Sequence, residues 1–429
     1  MVLKLVGALS GVLIPIVLVR LVSVDIVGYY LLTVSTAMFA GMVARLGMKQ
    51  PVVRMVGEAF HGNGSKDHFG EVLSSAISLV FLGSFLLILL VSVGVGNWVF
   101  VAGFSSEVIY NNIGLWLLLA VQIALRVTLA EVYRGIDKAS FAMLFDGPLA
   151  NLLMFVLISF LAIISNTLTF RHILILVNIA VTISIIISIL PILKIGSSFR
   201  PRISLIKSLF YQGIPVYFTN IAMFVVNNSG LWVCGVMLTI EETAVYGIAT
   251  RLMLIVSLPF FLLNAVVQGQ IVKLNQEEKY EQLSNLLQLS TTVASVSAGL
   301  IALVLLLFGD YILSVLFGEQ FRAAVPVLLC LAFGQIIVAI LGPVPNVLML
   351  IGMQDVVSKV TIVTGFITIV LSVLFSYWFG IIGVAAITAL GVVVRNTLLW
   401  MLCNKKTVIR THANFILAFR IFNGRFING

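Results

Sequence analysis

The apolar residues of this chain occur in long unbroken runs rather than in an alternating pattern. About twenty consecutive apolar residues are enough to cross a bilayer as an α-helix. Windows of this kind predict twelve membrane-spanning helices, near residues 3–22, 27–47, 72–95, 113–132, 141–164, 172–194, 212–236, 243–266, 287–309, 323–349, 356–378 and 380–402. The pattern therefore predicts an all-α polytopic membrane protein.

The segment 194–215 separates the first six predicted spans from the last six. Glycine, serine and proline interrupt the helical pattern there, and apolar residues then recur at helical spacing from Ile203 to Phe210. This pattern predicts a short amphipathic helix on the membrane surface before the seventh span. We therefore expect an N-terminal six-helix lobe, residues 1–198, and a C-terminal six-helix lobe with a cytoplasmic tail, residues 199–429.

Two shorter segments have patterns of their own. Residues 98–104, WVFVAGF, are apolar but too few to span, which is typical of an interfacial segment. Residues 273–288 are rich in charge and predict a helix leading into the ninth span. The charged face of that helix is either solvated or docks a partner, and its composition favours the solvated alternative.

The two predicted lobes carry matching residues at one constant offset. The spacing is 217 residues for four pairs: Asp25 with Glu242, Tyr29 with Tyr246, Phe104 with Phe321, and Gly135 with Gly352. A single offset kept along the chain indicates two homologous halves. Coincidence is the alternative, because the matching pairs are few.

Composition agrees with a membrane protein and excludes a large soluble domain. Of the 429 residues, 61% are hydrophobic and only 10% are charged, whereas soluble domains are usually about 25% charged. The net charge of +9 is then not a nucleic-acid signal. The three cysteines lie apart from one another, which indicates neither a disulfide framework nor a metal site.

The basic residues fall on one side of the predicted membrane, and this predicts the orientation. Loops rich in Lys and Arg lie in the cytoplasm, so both termini are predicted to be cytoplasmic. The residues on that side are Lys4, Lys49, Arg54, Lys66, Arg134, Lys138, Lys194, Arg200, Arg202, Lys207, Lys273, Lys279, Lys359, Lys405, Lys406, Arg410, Arg420 and Arg425.

The sequence predicts a transporter rather than an enzyme. Only four histidines are present, none of them near the centre of a span, and no phosphate-binding loop, dinucleotide fingerprint or HExxH motif occurs. No catalytic residue, metal or cofactor is therefore predicted. His61 and His68 share a loop with Asp67 and Glu71, but their spacing matches no familiar metal site.

Five arginines are predicted inside or at the ends of spans. They are Arg20, Arg45, Arg126, Arg251 and Arg395. An arginine facing lipid at a helix centre costs about 2.5–3.5 kcal/mol, so most of these side chains are expected to face a cavity. Arg126 has a competing interpretation, because Glu131 and Arg134 on the same helix could form a local ion network with it.

The polar residues of the spans indicate the charge of the cargo. Asn227, Asn228 and Gln268 could bind sugars, although helix packing is the favoured explanation for any one of these amides. No carboxylate is predicted near the membrane centre. Arginine binds phosphate through paired hydrogen bonds, so a positive interior suits an anionic cargo.

Several stretches resemble one family of membrane transporters. Residues 17–54, VLVRLVSVDIVGYYLLTVSTAMFAGMVARLGMKQPVVR, resemble the opening of Wzx-type polysaccharide flippases of the multidrug/oligosaccharidyl-lipid/polysaccharide (MOP) superfamily. Residues 204–215, 245–252 and 316–328 resemble the entry to helix 7, helix 8 and the helix 9–10 junction of that family. The resemblance implies two six-helix lobes around a central cavity lined by Arg20, Arg45 and Arg251.

The same resemblance implies a function. The cargo is expected to be an oligosaccharide linked to undecaprenyl diphosphate, such as an O-antigen repeat unit for lipopolysaccharide, flipped across the bacterial inner membrane by alternating access. Expected partners are this cargo, membrane lipid and other polysaccharide-assembly proteins. Two alternatives stay open: an ion-coupled small-molecule exporter of the same superfamily, and an O-antigen polymerase, which requires a longer outer loop than residues 95–112 provide.

Overall fold

The computed structural model describes residues 2–61, 66–164, 168–195 and 199–416. The described residues are helical, with no β-strand among them. Arg420 and Arg425 of the predicted basic tail, and the glycine and serines at 196–198, lie outside the described residues.

The first half of the chain forms ten helices. They are α1 (Val2–Leu21), α2 (Val24–Ala44), α3 (Lys49–His61), α4 (Lys66–Leu90), α5 (Glu107–Tyr110), α6 (Ile113–Gly135), α7 (Ala139–Phe145), α8 (Pro148–Ile164), α9 (Phe170–Leu193) and α10 (Ile203–Met237). Wide π-helical turns at Val91–Val95 and Trp98–Gly103 continue from α4, so the predicted interfacial run at 98–104 is helical.

The second half forms longer helices. They are α11 (Ile240–Gln276), α12 (Tyr280–Phe317), α13 (Ala324–Leu341), α14 (Val344–Leu350) and α15 (Gln354–Lys406). Gly380, with φ 56° and ψ −139°, breaks α15 into the helices 354–379 and 381–406. A residue with a side chain adopts this conformation only with strain, which explains the glycine.

The predicted all-α polytopic membrane fold is confirmed. Among the described residues, ten helices are long and apolar enough to cross a membrane. One of these is α15, which Gly380 divides into two spans, and the apolar stretch Ser10–Leu21 of α1 is a further, shorter candidate. Every predicted span thus coincides with one helix or with two consecutive helices, apart from a few residues at some of its ends.

Two predictions about the connecting segments are wrong. Residues 203–214 do not form a separate surface helix, because α10 runs continuously from Ile203 to Met237 and buries Leu209 in a hydrophobic core. The charged run 273–288 is not one helix. Glu278 adopts a left-handed φ of 56° between the end of α11 and the start of α12.

Helix α3 lies where the sequence indicated only a basic loop. Its mean hydropathy is low, so a search for apolar windows passes over it. The helix nevertheless buries Pro51, Val52, Val56 and Ala59 on one face. Those residues pack in a core with α4 and α6, while charged side chains stay outside.

Contacts divide the chain into two compact units, residues 1–228 and 229–429. The boundary falls inside α10. The predicted six-helix lobes with a boundary at residues 198 and 199 stay a prediction, as does the 217-residue repeat. Tyr29 and Tyr246, one of the matching pairs, both lie in the second turn of their helices, α2 and α11.

Candidate functional site

The candidate site lies at the C-terminal end of α2. Arg45 is the last residue in a helical conformation, and Leu46 and Gly47 then take left-handed φ angles of 49° and 82°. A left-handed glycine is a common helix stop, because it turns the chain without a steric penalty. This turn directs the chain into α3 and leaves the arginine at the helix end.

Helix α10 packs closely against this end of α2. A Cβ atom on Gly47 would lie 2.6 Å from the carbonyl oxygen of Gly213, and one on Gly213 would lie 2.7 Å from that of Gly47. The Tyr217 hydroxyl donates a hydrogen bond of 3.1 Å to the carbonyl of Val43. That carbonyl lies in the last turn of α2 and also accepts the backbone N–H of Leu46 at 3.1 Å.

A polar cavity of about 190 Å³ lies beside this contact. Its lining residues come from the end of α2, the start of α3 and the middle of α10. They are Met42, Arg45, Gly47, Met48, Lys49, Tyr217, Asn220, Phe224 and Asn227. The lining thus combines two cations, two amides and a phenol, and it includes no carboxylate.

The Arg45 guanidinium is incompletely paired. Its Nε and Nη1 atoms are buried and have no hydrogen-bond partner among the described residues. A buried donor without a partner costs about 1–3 kcal/mol, and more when the group is charged. Such a cost is expected where a ligand supplies the missing acceptors. Lys49 lies four residues further along the chain, at the start of α3, and is exposed.

Arg126 is a second buried arginine in the same unit. Arg126 lies on α6 and is only 8% exposed, and its Nε atom has no hydrogen-bond partner among the described residues. The guanidinium is attracted by Asp146 and repelled by Arg45, and it lies close to Gly147. Arg45 and Arg126 therefore contribute positive charge to one region.

An ion network forms here, but its arginine is Arg134 and not Arg126, for which the sequence left such a network open. This side chain pairs with Glu131 on its own helix and, at 2.7 Å, with Asp146. Both carboxylates are thus engaged by Arg134. The histidines are also paired separately, His61 with Asp137 at 2.9 Å and His68 with Glu71 at 3.5 Å.

The other predicted residues of this unit are placed less centrally. Asn227 lines the cavity beside Arg45. The side chain of Asn228 donates to the carbonyl of Phe224, 2.9 Å away on the same helix, so the helix-packing interpretation fits it better. Arg20 is exposed at the end of α1.

Three predicted residues belong to the second unit. Arg251 is half-buried on α11, and Gln268, further along the same helix, is exposed. Arg395 lies in the helix 381–406, where its buried Nε atom has no partner among the described residues. The structure thus brings Arg45, Arg126 and Asn227 into one unit and places Arg251, Gln268 and Arg395 in the other.

Comparisons with known proteins agree on the fold. No protein-family model matches the chain. A multidrug resistance MATE transporter of the MOP superfamily, solved in an inward-facing conformation, has a TM-score of 0.73 at 13% identity and covers 94% of each chain. The lipid II flippase MurJ, in an inward closed conformation, has a TM-score of 0.65 at 15% identity over 94% of this chain and 86% of that one.

One curated protein is similar in sequence. It is described as the probable low-salt glycan biosynthesis flippase Agl15 of Haloferax volcanii, and it is 23% identical over 206 residues. The match covers 48% of this chain and 44% of that protein. These similar proteins are transporters and flippases, not enzymes, and the chain has the fold of the MOP superfamily.

Proposed function

We propose that this protein is a flippase of the Wzx type, which moves an undecaprenyl-diphosphate-linked oligosaccharide from the inner to the outer leaflet of the cytoplasmic membrane. The observation that carries the proposal is the Arg45 guanidinium, with two buried donors unpaired beside a cavity without a carboxylate. A diphosphate supplies the acceptors that these donors lack, and its charge adds to the attraction that Glu131 and Asp146 already exert on Arg45.

The chemistry of the diphosphate fits the cationic residues of the first unit. Arginine keeps its charge when desolvated and offers a planar pair of donors that matches two phosphate oxygens. Lys49, at the rim, adds a mobile charge. Arg126 strengthens the positive field at Arg45, because its own charge is nearby and its Nε atom is not neutralised by a partner.

The amides and the phenol offer a place for the sugar. Asn220, Asn227 and Tyr217 line the same cavity, and such groups hydrogen-bond hydroxyls in either direction. Arg20, Arg251, Arg395 and Gln268 stay proposed contacts for other stages of an alternating-access cycle in which the lobes rock. The hydrocarbon tail of the cargo stays in the bilayer throughout, so it adds no free-energy cost to the transfer between leaflets.

The second candidate is a cation-coupled small-molecule exporter. The fold does not separate the two, because both MATE transporters and a lipid II flippase share it. The residues that line the cavity distinguish a flippase from a cation-coupled exporter better than the fold does. A site for a cation or a cationic drug is expected to present a carboxylate, whereas this cavity presents Arg45 and Lys49.

Transport in proteoliposomes tests the proposal. The purified protein is reconstituted with a fluorescent undecaprenyl-diphosphate oligosaccharide, and an impermeant quencher reports the fraction in the outer leaflet. We expect the protein to equilibrate the probe between leaflets, while a phosphate-free lipid bearing the same sugar stays in place. Movement of cationic dyes but not of the diphosphate probe would instead establish the exporter.

The orientation of the chain gives a further prediction. Reporters fused after Lys138, Lys279 and Lys405 are expected in the cytoplasm, and those after Ser105 and Glu242 outside, because basic loops stay inside. Paired phosphatase and fluorescent-protein fusions measure this. A single inverted reporter in the set contradicts the twelve-span topology, since each added or lost span reverses all later loops.

A further inference from the structure

The last described residues of the chain pair backbone carbonyls at the end of α13. Helix α13 ends at Leu341, and Gly342, with φ 85°, and Pro343 separate it from α14. The last four carbonyls of a helix have no partner within it. Inside a membrane protein such groups must be paired by other parts of the chain.

Residues 407–414, here called the C-terminal clasp, supply two of the missing donors. The backbone N–H of Ala413 donates to the carbonyl of Ile340 at 2.8 Å, and the Thr411 hydroxyl donates to that of Leu341 at 3.0 Å. Ser295 of α12 pairs the preceding carbonyl, that of Ala339, at 2.9 Å. The clasp thus acts as a cap provided by a distant part of the chain.

The C-terminal clasp is also bonded to α12. The backbone N–H groups of Arg410 and Asn414 donate to the hydroxyl oxygens of Ser284 at 3.0 Å and Thr292 at 2.9 Å. The Asn414 side chain donates to that of Gln288 at 3.3 Å. One segment of eight residues therefore ties α12 to the end of α13.

Packing holds the same segment in place. Thr411 is fully buried, and Ile409, only 2% exposed, packs in a core with Leu283 and Leu287 of α12 and Val347 of α14. The carbonyl oxygen of Thr411 occupies the position that a Cβ atom on Gly342 would need. This close approach explains the glycine at the break.

The first unit has a smaller counterpart, residues 199–202, here called the linker clasp. It follows α9 as the C-terminal clasp follows α15. The backbone N–H of Arg202 donates to the Ser75 hydroxyl at 3.0 Å, and its guanidinium contacts Glu71 at 2.5 Å. Both clasps therefore use an arginine N–H bonded to a serine on the unit's third predicted span, α4 or α12.

We propose that the C-terminal clasp fastens α12 to the end of α13 and stays docked throughout the transport cycle, and that the linker clasp holds the start of α10 on α4 in the same way. A clasp that pairs orphan carbonyls cannot leave without exposing them, which favours a permanent fastening over a gate. The proposal does not depend on the cargo.

Hydrogen exchange tests the cap. Thr411→Val keeps the shape of the side chain but removes the donor to Leu341. We expect exchange to rise about tenfold both in residues 407–414 and in residues 338–350, because the unpaired carbonyl weakens both sides of the contact. Val408→Thr is the matched control, since Val408 is 78% exposed. An unchanged rate of exchange in residues 338–350 would contradict the capping of α13 by the C-terminal clasp.

A cross-link tests whether the clasp stays docked. Ser284→Cys with Arg410→Cys, with Cys234, Cys330 and Cys403 replaced by serine, allows a disulfide to fix the clasp on α12. We expect the oxidised protein to export glycan as well as the reduced one. Loss of export on oxidation that a reductant restores would show a moving gate and contradict the proposal.

The two experiments remain informative if Thr411→Val does not fold. Asn414→Ala, which removes the side-chain bond to Gln288 and keeps the backbone bond to Thr292, is the milder variant. We expect the rate of exchange to rise in the same two segments, but by a smaller factor. If the reduced cross-link protein exports nothing, the proposed cargo is wrong, but hydrogen exchange still decides the clasp.

Discussion

Arg45→Ala is expected to abolish flipping of the diphosphate-linked cargo while the protein remains folded. Two buried donors of this guanidinium have no partner among the described residues, so their removal breaks no hydrogen bond of the unliganded protein. Each charge-assisted bond to phosphate contributes about 1.5–3 kcal/mol, so losing two reduces affinity by a factor on the order of 100 or more. Arg45→Lys is expected to keep part of the activity, since the charge stays but the paired geometry is lost.

The matched control is Arg54→Ala. Arg54 lies on the adjoining helix α3, is largely exposed and pairs with Glu58 at 2.8 Å. Solvent screens an exposed pair of this kind, so transport should stay close to that of the wild type. Equal transport by the Arg45→Ala and Arg54→Ala proteins, both folded, would remove Arg45 from the mechanism.

Thermal stability separates a binding role of Arg45 from a structural one. A buried charged donor without a partner is a cost to the empty protein, so Arg45→Met is expected to leave the unfolding temperature unchanged or raise it. If Arg45 instead stabilises the fold, the temperature falls together with transport. A diphosphate added to the wild type should raise the temperature, whereas the Arg45→Met protein should not respond.

The spans could be predicted because their cause is local. A run of apolar residues is enough to place a helix in a bilayer, and the structure has helices in every predicted window. Even the break at Gly380 coincides with the start of the last window. Helix α3 was missed because its apolar residues repeat at helical spacing without raising the average hydropathy, a pattern that only a moment analysis detects.

The site could be predicted only in part, because it depends on contacts between distant segments. Arg45 and Asn227 stand out as polar residues in apolar runs. Tyr217 does not, and its bond to Val43 joins residues 174 positions apart. The close approach of Gly47 to Gly213 could not be predicted, because nothing in the sequence distinguishes these two glycines among the 34 of the chain. In the sequence Lys49 is a basic loop residue and indicates only the orientation, because the turn that follows Arg45 cannot be predicted from apolar windows.

The largest loss of stability is expected from Arg134→Ala. The Glu131 carboxylate is 2% exposed and pairs with Arg134, which also holds Asp146 at 2.7 Å. Removing one partner of a buried ion pair leaves a charge that neither water nor protein compensates, at a cost of about 3–5 kcal/mol. Because Arg134 is itself 30% exposed, we expect the lower end of that range. Thermal unfolding in detergent measures the change.

Arg322→Ala provides an unusually close control. Arg322 also contacts two acids, Glu319 three residues before it at 2.9 Å and the distant Asp310 at 3.5 Å. All three of these side chains are at least half exposed. Solvent screens such a pair, so its loss should cost no more than about 1 kcal/mol. The two variants thus remove the same pattern of contacts and differ in burial.

A double substitution identifies the source of the loss. If the uncompensated charge of Glu131 causes the instability of Arg134→Ala, then Arg134→Leu with Glu131→Leu should recover most of it, since buried ion pairs can be replaced by apolar side chains of similar volume. If packing of the arginine stem is the cause, the double variant should be no more stable than Arg134→Ala. Equal losses for Arg134→Ala and Arg322→Ala would contradict the buried-charge explanation from the start, because the two sites differ chiefly in how far solvent reaches them.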